Sequence, residues 1–114
     1  MTDVNVCEPL CRVEQIADGG AFEASGLWHG ERESLVLLRD GDAVRGFLNI
    51  CPHAGRPLNW APGQFLVENG QLICAVHGAS FEVPNGYCVM GPCRGSSLRE
   101  VGLRIDGGMV YLAG

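Results

Sequence analysis

The sequence predicts an all-β domain built from antiparallel hairpins, and three observations carry that expectation. Short runs rich in Val, Leu and Ile are separated by turn signals. Helical periodicity never persists for the ten or so residues that a helix requires. The 17 Gly and 6 Pro gather where the backbone has to turn, notably at Pro62-Gly63, Gly86 and Gly91-Pro92. A chain of 114 residues is long enough for one hydrophobic core and too short for two, so a single domain over 1–114 is expected.

The elements follow in order. Residues 1–9 are short and polar and read as a flexible N-terminus. A helical turn is weakly signalled from Val13 to Ala17. Ala21 to Ser25 is a short strand candidate and Ser34 to Arg39 a stronger one. The turn Asp40-Gly41-Asp42 leads from it into a strand from Ala43 to Ile50, which ends directly at Cys51. Asn69-Gly70 is the strongest hairpin signal in the chain. It joins Gln64–Val67 to Gln71–Val76, and the second of these delivers Cys74 and His77. Asp106-Gly107-Gly108 closes a last hairpin between Leu98–Ile105 and Met109–Leu112. Alternation nominates Leu35, Leu37, Phe47, Leu72, Leu103, Val110 and Leu112 for the core. Trp60, seven residues after His53, is expected to pack beneath the loop that follows Cys51. His29 reads as a surface turn residue and not as a metal ligand.

Eight basic against thirteen acidic residues leave a formal charge of −5, and no basic run exists. Nucleic acid is therefore excluded as a partner, while an acidic surface serves solubility and suits docking onto basic proteins. No apolar run exceeds five residues, which leaves no membrane span and no secretory signal. The expected location is cytoplasmic. In that reducing compartment Cys7, Cys11, Cys88 and Cys93 are expected as thiols. A Cys88–Cys93 bridge across Met90-Gly91-Pro92 is the minor alternative.

The chemistry is concentrated in two clusters, Cys51-Pro52-His53-Ala54-Gly55 and Cys74-Ala75-Val76-His77-Gly78, with 20 residues between His53 and Cys74. Each offers one thiolate and one imidazole. Such ligands suit zinc or iron–sulfur chemistry and not calcium or magnesium, which take oxygen. Structural zinc sites group two Cys and then two His, whereas each arm here mixes the two types. Gly55 and Gly78, just behind each His, allow close approach of backbone N–H donors.

A C-x-H arm followed by a C-x-x-H arm, with Pro52, Gly55, Gly78 and Gly91-Pro92 in place, closely resembles the Rieske signature. The resemblance runs from about Leu10 to Leu112. It implies one 2Fe-2S cluster per chain, with Cys51 and Cys74 on the inner iron and His53 and His77 on the outer one. It also implies stacked antiparallel sheets, with a small cluster-binding subdomain at about 50–94 and a third loop, Pro84 to Arg94, covering the cluster. Pro52, Ala54, Leu58 and Ala79 would then form an apolar rim beside the His ligands.

With all four positions filled by protein, the resemblance implies an electron carrier and not an enzyme. Respiratory Rieske proteins have a further Cys in each ligand loop, where this chain has Arg56 and Val76. They also carry a Ser and a Tyr where this chain has Ala79 and Phe81. Fewer hydroxyl donors imply a low potential. Together with Cys93 in the lid loop, these features are similar to the Rieske-type ferredoxins of oxygenase systems. Such a protein takes single electrons from a flavin-dependent reductase and passes them to a terminal oxygenase. The small subunit of a nitrite-reductase-like complex is the alternative, and a zinc-binding interaction module is a more remote one.

Overall fold

The computed structural model describes residues 9–51, 57–74, 79–83, 85–91 and 95–113. The N-terminal segment 1–8 and most of each ligand arm lie outside them. Eleven strands and one short 3-10 turn make up the described part. They form three antiparallel sheets, in agreement with the all-β expectation.

The strands are β1 (Cys11–Arg12), β2 (Ala21–Trp28), β3 (Glu31–Asp40), β4 (Ala43–Leu48), β5 (Leu66–Glu68), β6 (Gln71–Ile73), β7 (Ser80–Glu82), β8 (Cys88–Met90), β9 (Glu100–Val101), β10 (Leu103–Asp106) and β11 (Met109–Leu112). The central sheet has the order β2-β3-β4-β9, the terminal sheet β1-β11-β10, and the third sheet β5-β6-β7-β8. The expected helical turn is present as a 3-10 turn at Val13–Gln15.

β3 organises the molecule because it is buried on both faces. Leu35 and Leu37 pack into a core with Cys11, Ile16, Val44, Leu48 and Val110, against the terminal sheet. Val36 and Leu38 point the other way, into a core with Phe47, Leu72, Phe81, Cys51 and Cys74. A period of two sends alternate side chains to opposite faces. The run Leu35-Val36-Leu37-Leu38 therefore fills two cores at once, which is the physical content of the stacked sheets. Reading alternation alone finds Leu35 and Leu37 and misses Val36 and Leu38.

β2 and β3 are longer than expected and meet in a two-residue turn at His29-Gly30, both with positive φ (53° and 83°). That geometry matches the twist of a hairpin. The last hairpin also differs from expectation. The segment expected as one strand from Leu98 is divided at Gly102, so that β9 pairs with β4 and β10 with β11. At Gly102 the chain passes from the central to the terminal sheet, and a Cβ there would stand 3.2 Å from the carbonyl oxygen of Ala113. Leu103 and Leu112 are half-buried against the terminal core, while the other five nominated residues are fully buried.

Candidate metal centre

Cys51 and Cys74 reach the same core from two strand ends. Beyond β4 the alternation continues for three residues: Asn49 is buried, Ile50 exposed and Cys51 fully buried. Along β6 and one residue past it, Leu72 and Cys74 face inward around half-buried Ile73. The two thiols are 0% and 1% exposed and belong to one apolar cluster that also contains Leu58, Ala79, Phe81, Cys88 and Leu98. Each Cys is thus placed by the pleat of the strand that precedes it.

Three loops leave this core, and each is closed at its base. In the second arm the Cys74 N–H donates to the Ala79 carbonyl at 2.7 Å. In the third, the Cys88 N–H donates to the Ser96 carbonyl at 2.8 Å, and the Gly95 N–H to the Cys88 carbonyl at 3.2 Å. In the first, the buried Asn49 Oδ1 accepts the Leu58 N–H at 2.8 Å. The third loop is shorter than the expected Pro84–Arg94 span, because Cys88–Met90 is a strand paired with β7. Gly91 follows it with φ of 95°.

Several side chains stand elsewhere than the sequence suggested. Leu58 and Ala79 are wholly buried, so they form the floor of the site and not its rim. Trp60 is 61% exposed and does not pack beneath the first arm. Its backbone is instead held in a tight turn by the bond from its N–H to the Gln64 carbonyl, which leaves the ring outside. Met90, equally exposed, adds an apolar side chain next to the third loop. His29 is an exposed turn residue, as expected. Cys11 lies buried on β1, and burial pushes its thiol pKa up.

His53, His77, Cys7, Cys93, Pro52 and Ala54 lie outside the described residues. For a 2Fe-2S centre of mixed ligation the testable half of the donor set is therefore the sulfur half. Two buried thiols that share one apolar core fit it, because two Cys on one iron and two His on the other is the Rieske arrangement.

A family model, the Rieske 2Fe-2S domain, matches residues 7–104. The chain belongs to the Rieske family. The Rieske domain binds a 2Fe-2S cluster. Solved structures agree on the fold. The ferredoxin of carbazole 1,9a-dioxygenase from Nocardioides aromaticivorans IC177 is 25% identical, with a TM-score of 0.68 over 96% of this chain and 98% of that one. A ferredoxin from Sphingomonas yanoikuyae B1 is 20% identical, with a TM-score of 0.70 over 96% and 99%. A nitrite reductase small-subunit structure from Mycobacterium tuberculosis is 17% identical, with a TM-score of 0.62 over 96% of each chain. The terminal oxygenase of the Nocardioides system also matches, over 95% of this chain but 30% of its own length. A search of curated proteins finds no match. Among the described residues no helix is long and apolar enough to cross a membrane.

Proposed function

We propose that this Rieske domain is a one-electron carrier that accepts electrons from a flavin-dependent reductase and delivers them to a terminal oxygenase. The observation that carries the proposal is the end-to-end match to a dioxygenase ferredoxin, covering 96% of this chain and 98% of that one at 25% identity. A related solved structure is a complex of reduced oxygenase and oxidised ferredoxin, also from a carbazole 1,9a-dioxygenase, 22% identical with a TM-score of 0.71. The whole chain acts as one domain, with a cluster-binding subdomain at about 50–94.

In this proposal Cys51, Cys74, His53 and His77 hold the cluster. A bound 2Fe-2S cluster supplies one-electron redox chemistry. Cys51 and Cys74, at 0% and 1% exposure, hold their side of the site away from water. Leu58, Ala79 and Phe81 line it without hydroxyls, which keeps the potential low. His53 and His77, as ligands of the outer iron, would give the electron its exit towards a partner. With four protein ligands and no open position, the chain carries electrons and transforms no substrate of its own. Exposed Trp60 and Met90 give a small apolar contribution to a docking surface of the limited size typical of redox encounters.

The likeness to nitrite reductase small subunits over their whole length supports a second reading, permanent association with a large reductase subunit. Single-turnover mixing decides between them. Dithionite-reduced protein should be reoxidised by a terminal oxygenase component within seconds, and a substoichiometric amount should support many turnovers with reductase and NADH. Isolation in a fixed complex with a large nitrite reductase subunit, with no transfer to any oxygenase, would replace the carrier reading.

A further inference from the structure

The three loops differ in what closes them. The second and third are clasped by backbone bonds, between Cys74 and Ala79 and between Cys88 and Gly95–Ser96. Among the described residues the first is clasped by a side chain, that of Asn49, which stands two residues before Cys51. Asn49 is 2% exposed. Its Oδ1 accepts the Leu58 N–H at 2.8 Å, and its Nδ2 donates to Asn59 Oδ1 at 2.7 Å and to Ser34 Oγ at 3.1 Å. One carboxamide thus joins the residues entering the first arm to the residues leaving it.

The network around it runs in one direction. The Ser34 hydroxyl donates to Glu23 Oε2 at 2.9 Å, and Glu23 Oε1 accepts the Gly63 N–H at 2.7 Å. Asn59 Nδ2 donates to the Ala61 carbonyl at 2.9 Å. The Leu58 N–H can only donate and the Ala61 carbonyl can only accept, so each amide has one permitted orientation. Asp at 49 would lack both N–H donors, Leu would take from the Leu58 N–H its acceptor and from Asn59 Oδ1 the Asn49 donor, and Gln would add a methylene to a packed position.

We propose that Asn49 is the positioning residue of the first ligand arm. Its carboxamide, oriented through Ser34 by the Glu23 carboxylate and locked to Leu58 and Asn59, fixes the Cys51–His53 arm against the second arm. It thereby sets how firmly the cluster is retained and the spectrum it gives. This rests on the ligand set proposed above.

The test compares wild type, Asn49→Leu, Asn59→Ala and the control Val110→Ala, which thins the other core. Iron and sulfide content and the reduced electron paramagnetic resonance spectrum are measured for each. Iron release to excess chelator is then timed well below every melting temperature. Asn49→Leu should release iron about tenfold faster or more, with shifted g values. Asn59→Ala should do so severalfold, and it carries the test if Asn49→Leu does not fold. Val110→Ala should melt earlier yet keep the wild-type spectrum and release rate. Wild-type release and spectrum in the folded Asn49 or Asn59 variants, or equally fast loss from Val110→Ala, would overturn the assignment. Wild-type protein without iron and sulfide would overturn the ligand set first, and this inference with it.

Discussion

Gly91 rests directly on Ala79: a Cβ on Gly91 would come within 2.7 Å of the Ala79 Cα. Ala79 is also the residue whose carbonyl accepts the Cys74 N–H, so the third loop is seated on the clasp of the second ligand arm. Two constraints meet at Gly91, a positive φ of 95° and a backbone neighbour that cannot yield.

Gly91→Ala should therefore lift the third loop. Strain of this kind costs on the order of 1–3 kcal/mol, which corresponds to several degrees in melting temperature for a domain of this size. Iron should also be lost faster. Thermal melting and chelator kinetics check both, and an unshifted melting point would show that the third loop is not seated as described.

Ala79 and Phe81, both wholly buried in the core that holds Cys51 and Cys74, are expected to keep the potential low. Rieske centres span about −150 to +300 mV, and this one should lie near the lower end. A hydroxyl that favours the reduced state by on the order of 1 kcal/mol raises a one-electron potential by roughly 40 mV. Ala79→Ser should show the larger rise, because the Ala79 carbonyl accepts the Cys74 N–H and so sits beside that cysteine. Phe81→Tyr should also raise it, at some cost in stability if the new hydroxyl finds no partner. Voltammetry at one pH checks both variants, and an unmoved potential with the cluster intact would assign the control elsewhere.

The Arg45–Glu100 pair ties β4 to β9 through two bonds, at 2.9 and 2.7 Å. The hydrogen bond from Arg45 lowers the Glu100 pKa, burial opposes it, and the charge of Arg45 adds to the lowering. A depressed carboxyl pKa stabilises the fold above its unfolded value, and that contribution is lost as pH falls through the folded value. The side chains are 42% and 47% exposed, so the effect belongs to the surface class of about 0–1 kcal/mol. Arg45→Met should melt slightly below wild type at pH 7. The gap should close on acidification below the ordinary carboxyl range, and in high salt. A gap that persists at about pH 3, below the ordinary carboxyl pKa, would contradict the linkage.

The two faces of β3 make a further distinction. Leu37→Ala opens the core against the terminal sheet and should cost about 2–5 kcal/mol while leaving the potential unchanged. Val36 packs in the same core as Cys51 and Cys74, so Val36→Ala should destabilise and also shift the potential. Denaturant titration with voltammetry separates them, and equal potential shifts would mean that the two cores are not independent.

Much of this was legible in the sequence because the signals were local. Asn69-Gly70 and Asp40-Gly41-Asp42 mark hairpins by their own backbone preferences, and the cysteines fall where those hairpins end. What was not legible depends on tertiary contact. Leu58 and Ala79 look like rim residues until the loop clasps turn them inward, and Trp60 looks like core until its turn holds it out. The last hairpin is equally deceptive: the apolar pattern from Leu98 to Ile105 reads as one strand, and only the change of partner at Gly102 divides it. Asn49 carried no signal, because a lone Asn before a Cys reveals nothing about Leu58, Asn59 or Ser34.

Whether the chain holds a Rieske cluster is read most directly from iron and acid-labile sulfide per chain, together with the electron paramagnetic resonance spectrum of the reduced protein. Two iron and two sulfide are expected, with a low average g value characteristic of mixed His and Cys ligation, and with loss of that spectrum in His77→Cys even where colour persists. One zinc per chain with no sulfide, or an all-Cys type of spectrum in the wild type, would refute the assignment.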